Sequence, residues 1–192
     1  MQPIPRFQPF ETALDADRAL AELRAATAGA DDGELFLERH RGEALVFDDG
    51  RLRNASYEAG EGFGLRAVRG ETAGYAHSTE ISEAALARAG ETARLAVGAG
   101  GGVMAPAPRA TNQRLYTDHD PFDDAEFAVK VEMLREIDAY ARALDPRVAQ
   151  VSASLAASMQ EIEILRPEGQ RLTDARPITR YLAAQHGLAA PL

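Results

Sequence analysis

Histidine, serine and acidic side chains carry whatever hydrolytic chemistry this chain could do, because it has no cysteine. Its histidines are His40, His77, His119 and His186. A helical zinc site of the hydrolase type needs two imidazoles one turn apart, with a glutamate beside the first to act on the metal-bound water. None of the four histidines is followed by glutamate, and no two lie within a helical turn of each other. The stretch "HSTE" at 77–80 offers one ligand pair at most. A closed zinc site made from this chain alone is therefore not expected. Ser152, Ser154 or Ser158 with His119 and Asp118 or Asp120 would supply the residue types of a catalytic triad. Those serines recur at alternate positions, as on the polar face of a strand, and no Gly-x-Ser-x-Gly turn is present. The acid pairs Asp31-Asp32, Asp48-Asp49 and Asp123-Asp124 fall in expected turns or first helical turns, where carboxylates have local structural roles. A self-contained hydrolase would have to be built on His77 or His119, with no motif around either.

The elements that must position these groups follow from periodicity. Residues 15–28, "DADRALAELRAATA", read as a helix capped by Asp15, with Ala16, Ala19, Leu20 and Leu23 on one face. The segment from Glu34 to Ser78 reads as four or five antiparallel strands. Asp49-Gly50 is its strongest hairpin signal, and Arg41-Gly42 and Gly70-Glu71 are weaker turns. From Ser82, "SEAALARAGETARLAVG" predicts a second helix capped by that serine and closed by Gly98. The glycine- and proline-rich run "GAGGGVMAPAPRATNQ" follows a helix instead of leading from a strand into one. It is read as a connector and not as a phosphate cradle.

Residues 121–144 predict a third helix, capped by Asp120 and starting on Pro121. Its expected core stripe is Phe127, Val131, Leu134, Ala141 and Leu144 with Ile137 beside it, and its expected surface pairs are Glu126–Lys130 and Asp138–Arg142. Beyond Pro146 alternation returns, with Val151, Ala153, Leu155, Ala157 and Met159 on one side. The apolar phase then moves to Ile162 and Ile164, which predicts a bulge or turn between Ala157 and Glu161. "RPEG" is expected to turn into a further hairpin. The order helix, strands, helix, helix, strands implies an α+β fold, a mainly antiparallel sheet with helices packed on one face.

Composition bounds the partners. A hydrophobic share of 45% supports a real core, and a net charge of −9 with no Lys/Arg cluster argues against direct nucleic-acid binding. No apolar run approaches a membrane span, and the first residues do not read as a secretory signal. A cytoplasmic location is expected.

Longer blocks say more than any local motif. "GLRAVRGETAGYAHSTEISEAALARAGETA", "NQRLYTDHDP", "KVEMLREIDAYARALDPRVAQVSASLAASMQEIEILRPEG" and "DARPITR" resemble the TldD/PmbA family, also called modulator of DNA gyrase, over roughly residues 5–180. The resemblance implies the N-terminal domain, over 1–180, of a TldD-type zinc metallopeptidase that works on unfolded peptides beside a homologous PmbA-type subunit. In that family zinc is held by a later His-Glu-x-x-x-His motif, which is missing from this sequence, so no catalytic or metal residue is assigned here. The closing "YLAAQHGLAAPL" lacks strand alternation and does not resemble the family, so 181–192 is expected to be a non-family tail on a truncated chain. Arg66, Tyr75 and His77 are the candidates for peptide contact. The alternative function is a non-catalytic module that binds family subunits or the gyrase system.

Overall fold

The computed structural model describes residues 6–98, 117 and 119–188, the last four as backbone. The expected connector of 98–113 and the triad candidate Asp118 lie outside those residues, Gly98 excepted. The described elements are α1 (Pro9–Thr12), α2 (Ala16–Ala26), β1 (Asp32–Asp48), β2 (Arg51–Arg69), β3 (Thr72–Ser78), α3 (Glu83–Val97), α4 (Phe127–Leu144), β4 (Val148–Leu165) and β5 (Arg171–Leu188). The strands form one antiparallel sheet in the order β3-β2-β1-β4-β5. Among the described residues no helix is long and apolar enough to cross a membrane.

Helices cover one face of this sheet. The odd-numbered residues Leu35, Leu37, Phe63 and Leu65 point to that face and meet Leu23 of α2 and Leu86, Ala89 and Ala93 of α3. Further along the same face, Leu45 and Phe47 of β1 and Ala153 and Leu155 of β4 receive Leu134 of α4. Each cluster is sealed by a narrow helix stripe, as a half-covered antiparallel sheet requires. Asp15 and Ser82 act as the expected caps, accepting from Arg18 N–H and Ala85 N–H.

Between the two clusters the helix-side face is ionic. Glu161 accepts from Arg39 Nε at 2.9 Å and Arg39 Nη2 at 2.7 Å, and its other oxygen accepts from Phe7 N–H at 2.9 Å. Arg41, whose side chain is only 4% exposed, pairs with Asp120 at 2.6 Å and lies over the Phe122 ring. Lys130 pairs with Glu43 and faces the same ring.

This ionic belt explains where the sequence misleads. The register of β1 against β4 runs without a bulge from Leu35↔Leu165 to Asp48↔Ser152. Glu161 and Glu163 simply continue the helix-side row as buried, ion-paired carboxylates, while Ile162 and Ile164 take the other face. The apolar phase changes because the layer above the sheet changes, not the strand. Asp120 does not cap α4 either. Its carboxylate goes to Arg41 and to Phe122 N–H, and the helix begins at Phe127. Lys130, Leu134, Asp138 and Ala141 form the buried side of α4, and Phe127 and Leu144 stay exposed. Lys130 reaches Glu43 and not Glu126, whereas Asp138–Arg142 forms as expected.

Two other expectations change. Residues 32–78 make two long strands and a short one, with no turn at Arg41-Gly42. Gly42 pairs with Glu58 in mid-ladder, and the Glu58 side chain lies over it. The turns at Asp49-Gly50 and Gly70 do form, with positive φ at all three residues. At the far end β5 continues through residues 181–188 and stays paired with β4 as far as Val148↔Leu188. Backbone pairing holds that segment in the ladder although its alanines give no alternating pattern.

Candidate functional site

The face without helices carries the even-numbered residues of β1 and β2. Phe36, Glu38 and His40 stand in a row on β1. Opposite them on β2 are Gly64, Gly62 and Gly60 in register, three alternate positions with no side chain. Beyond Gly64, β3 contributes His77 in register and Tyr75 two pairs further on. The Phe36, Gly64 and His77 backbones therefore span two strand spacings, about 10 Å. The result is an open groove of about 330 Å³ whose floor is glycine backbone, with Phe36, Glu38 and His40 on one wall and Tyr75 and His77 on the other.

The floor is partly covered from within. The Tyr75 ring lies across Gly64, with its hydroxyl 2.6 Å from where a Cβ on that glycine would be, and it stacks on His77 at a centroid distance of 5.7 Å. Gly62 is approached by the backbone of Ser78, whose carbonyl oxygen would stand 2.6 Å from a Cβ there. Among the described residues, nothing lies within 4 Å of the missing Cβ of Gly60. Glu38 accepts from Gln160 Nε2 at 3.1 Å. Neither Glu38 nor Glu58 is in an ion pair among the described residues.

The groove opens sideways onto an unfinished strand. β3 pairs with β2 only over Phe63–Arg69. From Arg51 to Gly62, β2 has β1 on one side and no strand on the other, among the described residues. At about 3.3 Å per residue that free edge runs for roughly 35 Å. Its backbone donors and acceptors are the kind that an added strand satisfies.

The structure brings two of the three sequence candidates together. Tyr75 and His77 line the groove, while Arg66 shares their face and pairs with Tyr75 across the ladder but stands outside the lining. Sequence reasoning missed the floor and the opposite wall. The signal was present in "GEGFG" (60–64), where glycine alternates with a larger residue at the strand period. The register that places His40, Glu38 and Phe36 opposite those glycines is not visible in a one-dimensional pattern. The triad residues do not converge. Ser152, Ser154 and Ser158 lie on the open face, and the Ser152 hydroxyl donates to Asp48. His119 is paired with Asp124, which raises its pKa through the hydrogen bond first and the carboxylate charge second. Among the described residues no three His, Cys, Asp or Glu side chains converge as metal ligands, and no His-Glu-x-x-x-His stretch occurs in the sequence. No chemical step is assigned to a zinc ion among the described residues.

Comparison with known proteins gives this surface its setting. Residues 33–97 match the family model for PmbA/TldA metallopeptidase domain 1, and residues 120–183 match the model for the central domain of the same metallopeptidases. The chain belongs to the PmbA/TldD family. A metalloprotease TldD homolog of Buchnera aphidicola (subsp. Acyrthosiphon pisum) is 29% identical over 178 residues, covering 90% of this chain and 37% of that protein. The Haemophilus influenzae metalloprotease TldD homolog is 31% identical over 153 residues, covering 78% of this chain and 32% of its own length. The chain thus spans about a third of the curated relatives it matches. Among solved structures, TldE from Thermococcus kodakarensis superposes with a TM-score of 0.62 at 16% identity, over 88% of this chain and 43% of that one. At that identity the likeness is one of fold. Within this PmbA/TldD chain the two matched segments are not separate bodies. β1 from the first and β4 from the second are direct neighbours in one sheet.

Proposed function

We propose that this chain is the N-terminal region of a TldD-type zinc metallopeptidase and that its sheet forms a wall of the channel through which unfolded peptides reach the metal. In this reading the zinc-binding part lies outside the sequence, the chain alone hydrolyses nothing, and a homologous PmbA-type subunit is its assembly partner. The observation that carries the reading is the open sheet face. A five-stranded sheet covered by helices on one side leaves a groove, an aromatic–imidazole stack and a free strand edge on the other. That surface suits an extended polypeptide, which is recognised through its backbone with little demand on sequence. The family match supports the placement, and the cytoplasm is the proposed compartment.

The test is co-expression of the chain with a PmbA-type subunit from the same genome, followed by size exclusion, together with zinc content and peptidase activity of the chain alone. Co-elution in a defined ratio, without stoichiometric zinc or turnover, is the expected result. Zinc held by the isolated chain, with turnover that His77→Ala or His119→Ala removes, would overturn the reading. The open face also favours a second reading, a non-catalytic module that binds full-length family subunits or the gyrase system. Recovery of gyrase subunits, with no family subunit, in a pull-down on the intact chain would select that alternative.

A further inference from the structure

On the open face of β1 and β2, the glycines with one exception are covered by a neighbour's side chain or backbone. Glu58 of β2 leans over Gly42 of β1, the Tyr75 ring of β3 leans over Gly64 of β2, and the chain at Ser78–Thr79 crosses Gly62. Gly60 is the exception, and it lies on the free edge just beyond the end of β3. We propose that the missing cover is supplied in trans. An extended peptide pairs with the free edge of β2 over residues 51–60 and lays a basic side chain, lysine or arginine, across Gly60 toward Glu38.

Pleat geometry sets the reach. A residue paired with Gly60 points to the same face as Gly60, and its backbone lies one strand spacing, about 4.8 Å, from that glycine. β1 lies a further spacing away. His40 is the register partner of Gly60 and Glu38 lies two residues along, so a side chain crossing bare backbone runs diagonally past His40 and must cover about 12 Å, less the length that Glu38 itself contributes. Only lysine and arginine are long enough to lie flat on the sheet and still place a charge at the far side. Charge selects the same residues. Glu38 lines the groove opposite Gly62, the Glu58 side chain lies over Gly42 two residues before Gly60 on β2, and no cation among the described residues pairs with either. Among the described residues that line the groove, His40 and His77 are the nitrogen bases, and the net charge of −9 adds attraction at long range. The occupant is thus an extended segment with a cationic residue at one register position, flanked by residues that need only accept strand geometry.

This inference rests on the reading of the chain as a peptide-channel wall, and its test separates the two. Labelled ten-residue peptides on a Ser/Thr/Ala background, with arginine, norleucine or glutamate at the centre, are titrated with the intact chain and followed by fluorescence anisotropy. The arginine peptide should bind roughly tenfold more tightly than the glutamate peptide, as expected from two partly exposed ion pairs. The Glu38→Gln/Glu58→Gln double variant should erase that difference. Gly60→Val fills open space and suits a strand, so it should leave urea unfolding intact while weakening the arginine peptide at least tenfold. Methylating alternate peptide nitrogens should abolish binding by removing the ladder donors. Equal affinity for all three peptides, or a Gly60→Val chain that binds as wild type, overturns the groove assignment and leaves the channel-wall reading standing. Absence of any peptide binding overturns the groove as well, and co-elution with the PmbA-type subunit then judges the broader reading on its own.

Discussion

Replacing Glu161 by alanine is the sharpest perturbation of this fold, because one carboxylate there answers several donors. It accepts two hydrogen bonds from Arg39 and one from the Phe7 backbone, and it stands 3.7 Å from Arg41. Its side chain is 12% exposed, and those of Arg39 and Arg41 are 17% and 4% exposed, so solvent screens these charges poorly. Removing one partner of a buried pair while leaving the other charged costs about 3–5 kcal/mol. The residual exposure of Arg39 and the remaining Asp120 partner of Arg41 place the expected loss near 3 kcal/mol. With a urea dependence of about 2 kcal/mol per M, the unfolding midpoint followed by far-UV circular dichroism should fall by roughly 1.5 M. Glu161→Gln keeps an acceptor for Phe7 N–H and should cost less. The Arg39→Met/Glu161→Met double variant should recover part of the loss, because part of the penalty comes from the ion pair that Arg39 loses and not from lost volume. A Glu161→Ala chain destabilised by less than about 1 kcal/mol would refute the reasoning, since that is the range of an ordinary surface ion pair.

Other outcomes follow from single contacts. A Cβ on Gly74 would overlap the Ala93 carbonyl of α3, so Gly74→Ala must push α3 off β3; a loss of about 1–3 kcal/mol in urea unfolding is expected, as in overpacked cores. Leu134 is fully buried between α4 and the β1–β4 pair, and Leu134→Ala should cost about 2–5 kcal/mol by the same measurement, with near-wild-type helix content below the transition. Hydrogen bonds from the Arg147 side chain and backbone hold the Asp145 pKa down to about 2. Because the folded value lies below the ordinary one, the stabilisation is present above about pH 4 and fades as pH falls through 2. NMR titration should show that midpoint, and Arg147→Ala should move it back toward the usual carboxylate range.

Much of the scaffold is readable before any coordinates. The caps at Asp15 and Ser82, the Asp49-Gly50 hairpin and the strand after Pro146 each depend on neighbours within a few residues, which a sequence displays directly. The core stripe of α4 is only partly readable in that way: Leu134 and Ala141 are buried as expected, but the other buried positions of that helix are not apolar. Lys130 and Asp138 occupy inward positions because Glu43 and Arg142 wait for them, and a charged residue in a helix otherwise reads as solvent-facing. The ionic row Glu161–Glu163 misleads for the same reason, since its partners Arg39, Arg41 and Arg171 are supplied by other strands. Tyr75 and His77 stand out as polar aromatics near a strand end, so a reader of the sequence can pick them. Gly60 gains meaning only from what fails to cover it.

The central place of β1 bears on how the molecule is made. Its partner on one side, β2, follows at once through a two-residue turn, whereas β4, its partner on the other side, is about a hundred residues further along the chain. While the ribosome delivers that interval, the hairpin has one long margin without a mate and Leu45 and Phe47 without the shelter of α4. Long-range pairing of this kind closes slowly and leaves nascent strands open to wrong neighbours. The buried Arg41 adds a check at that stage, since a stray apolar strand laid along β1 would leave its charge with no answer.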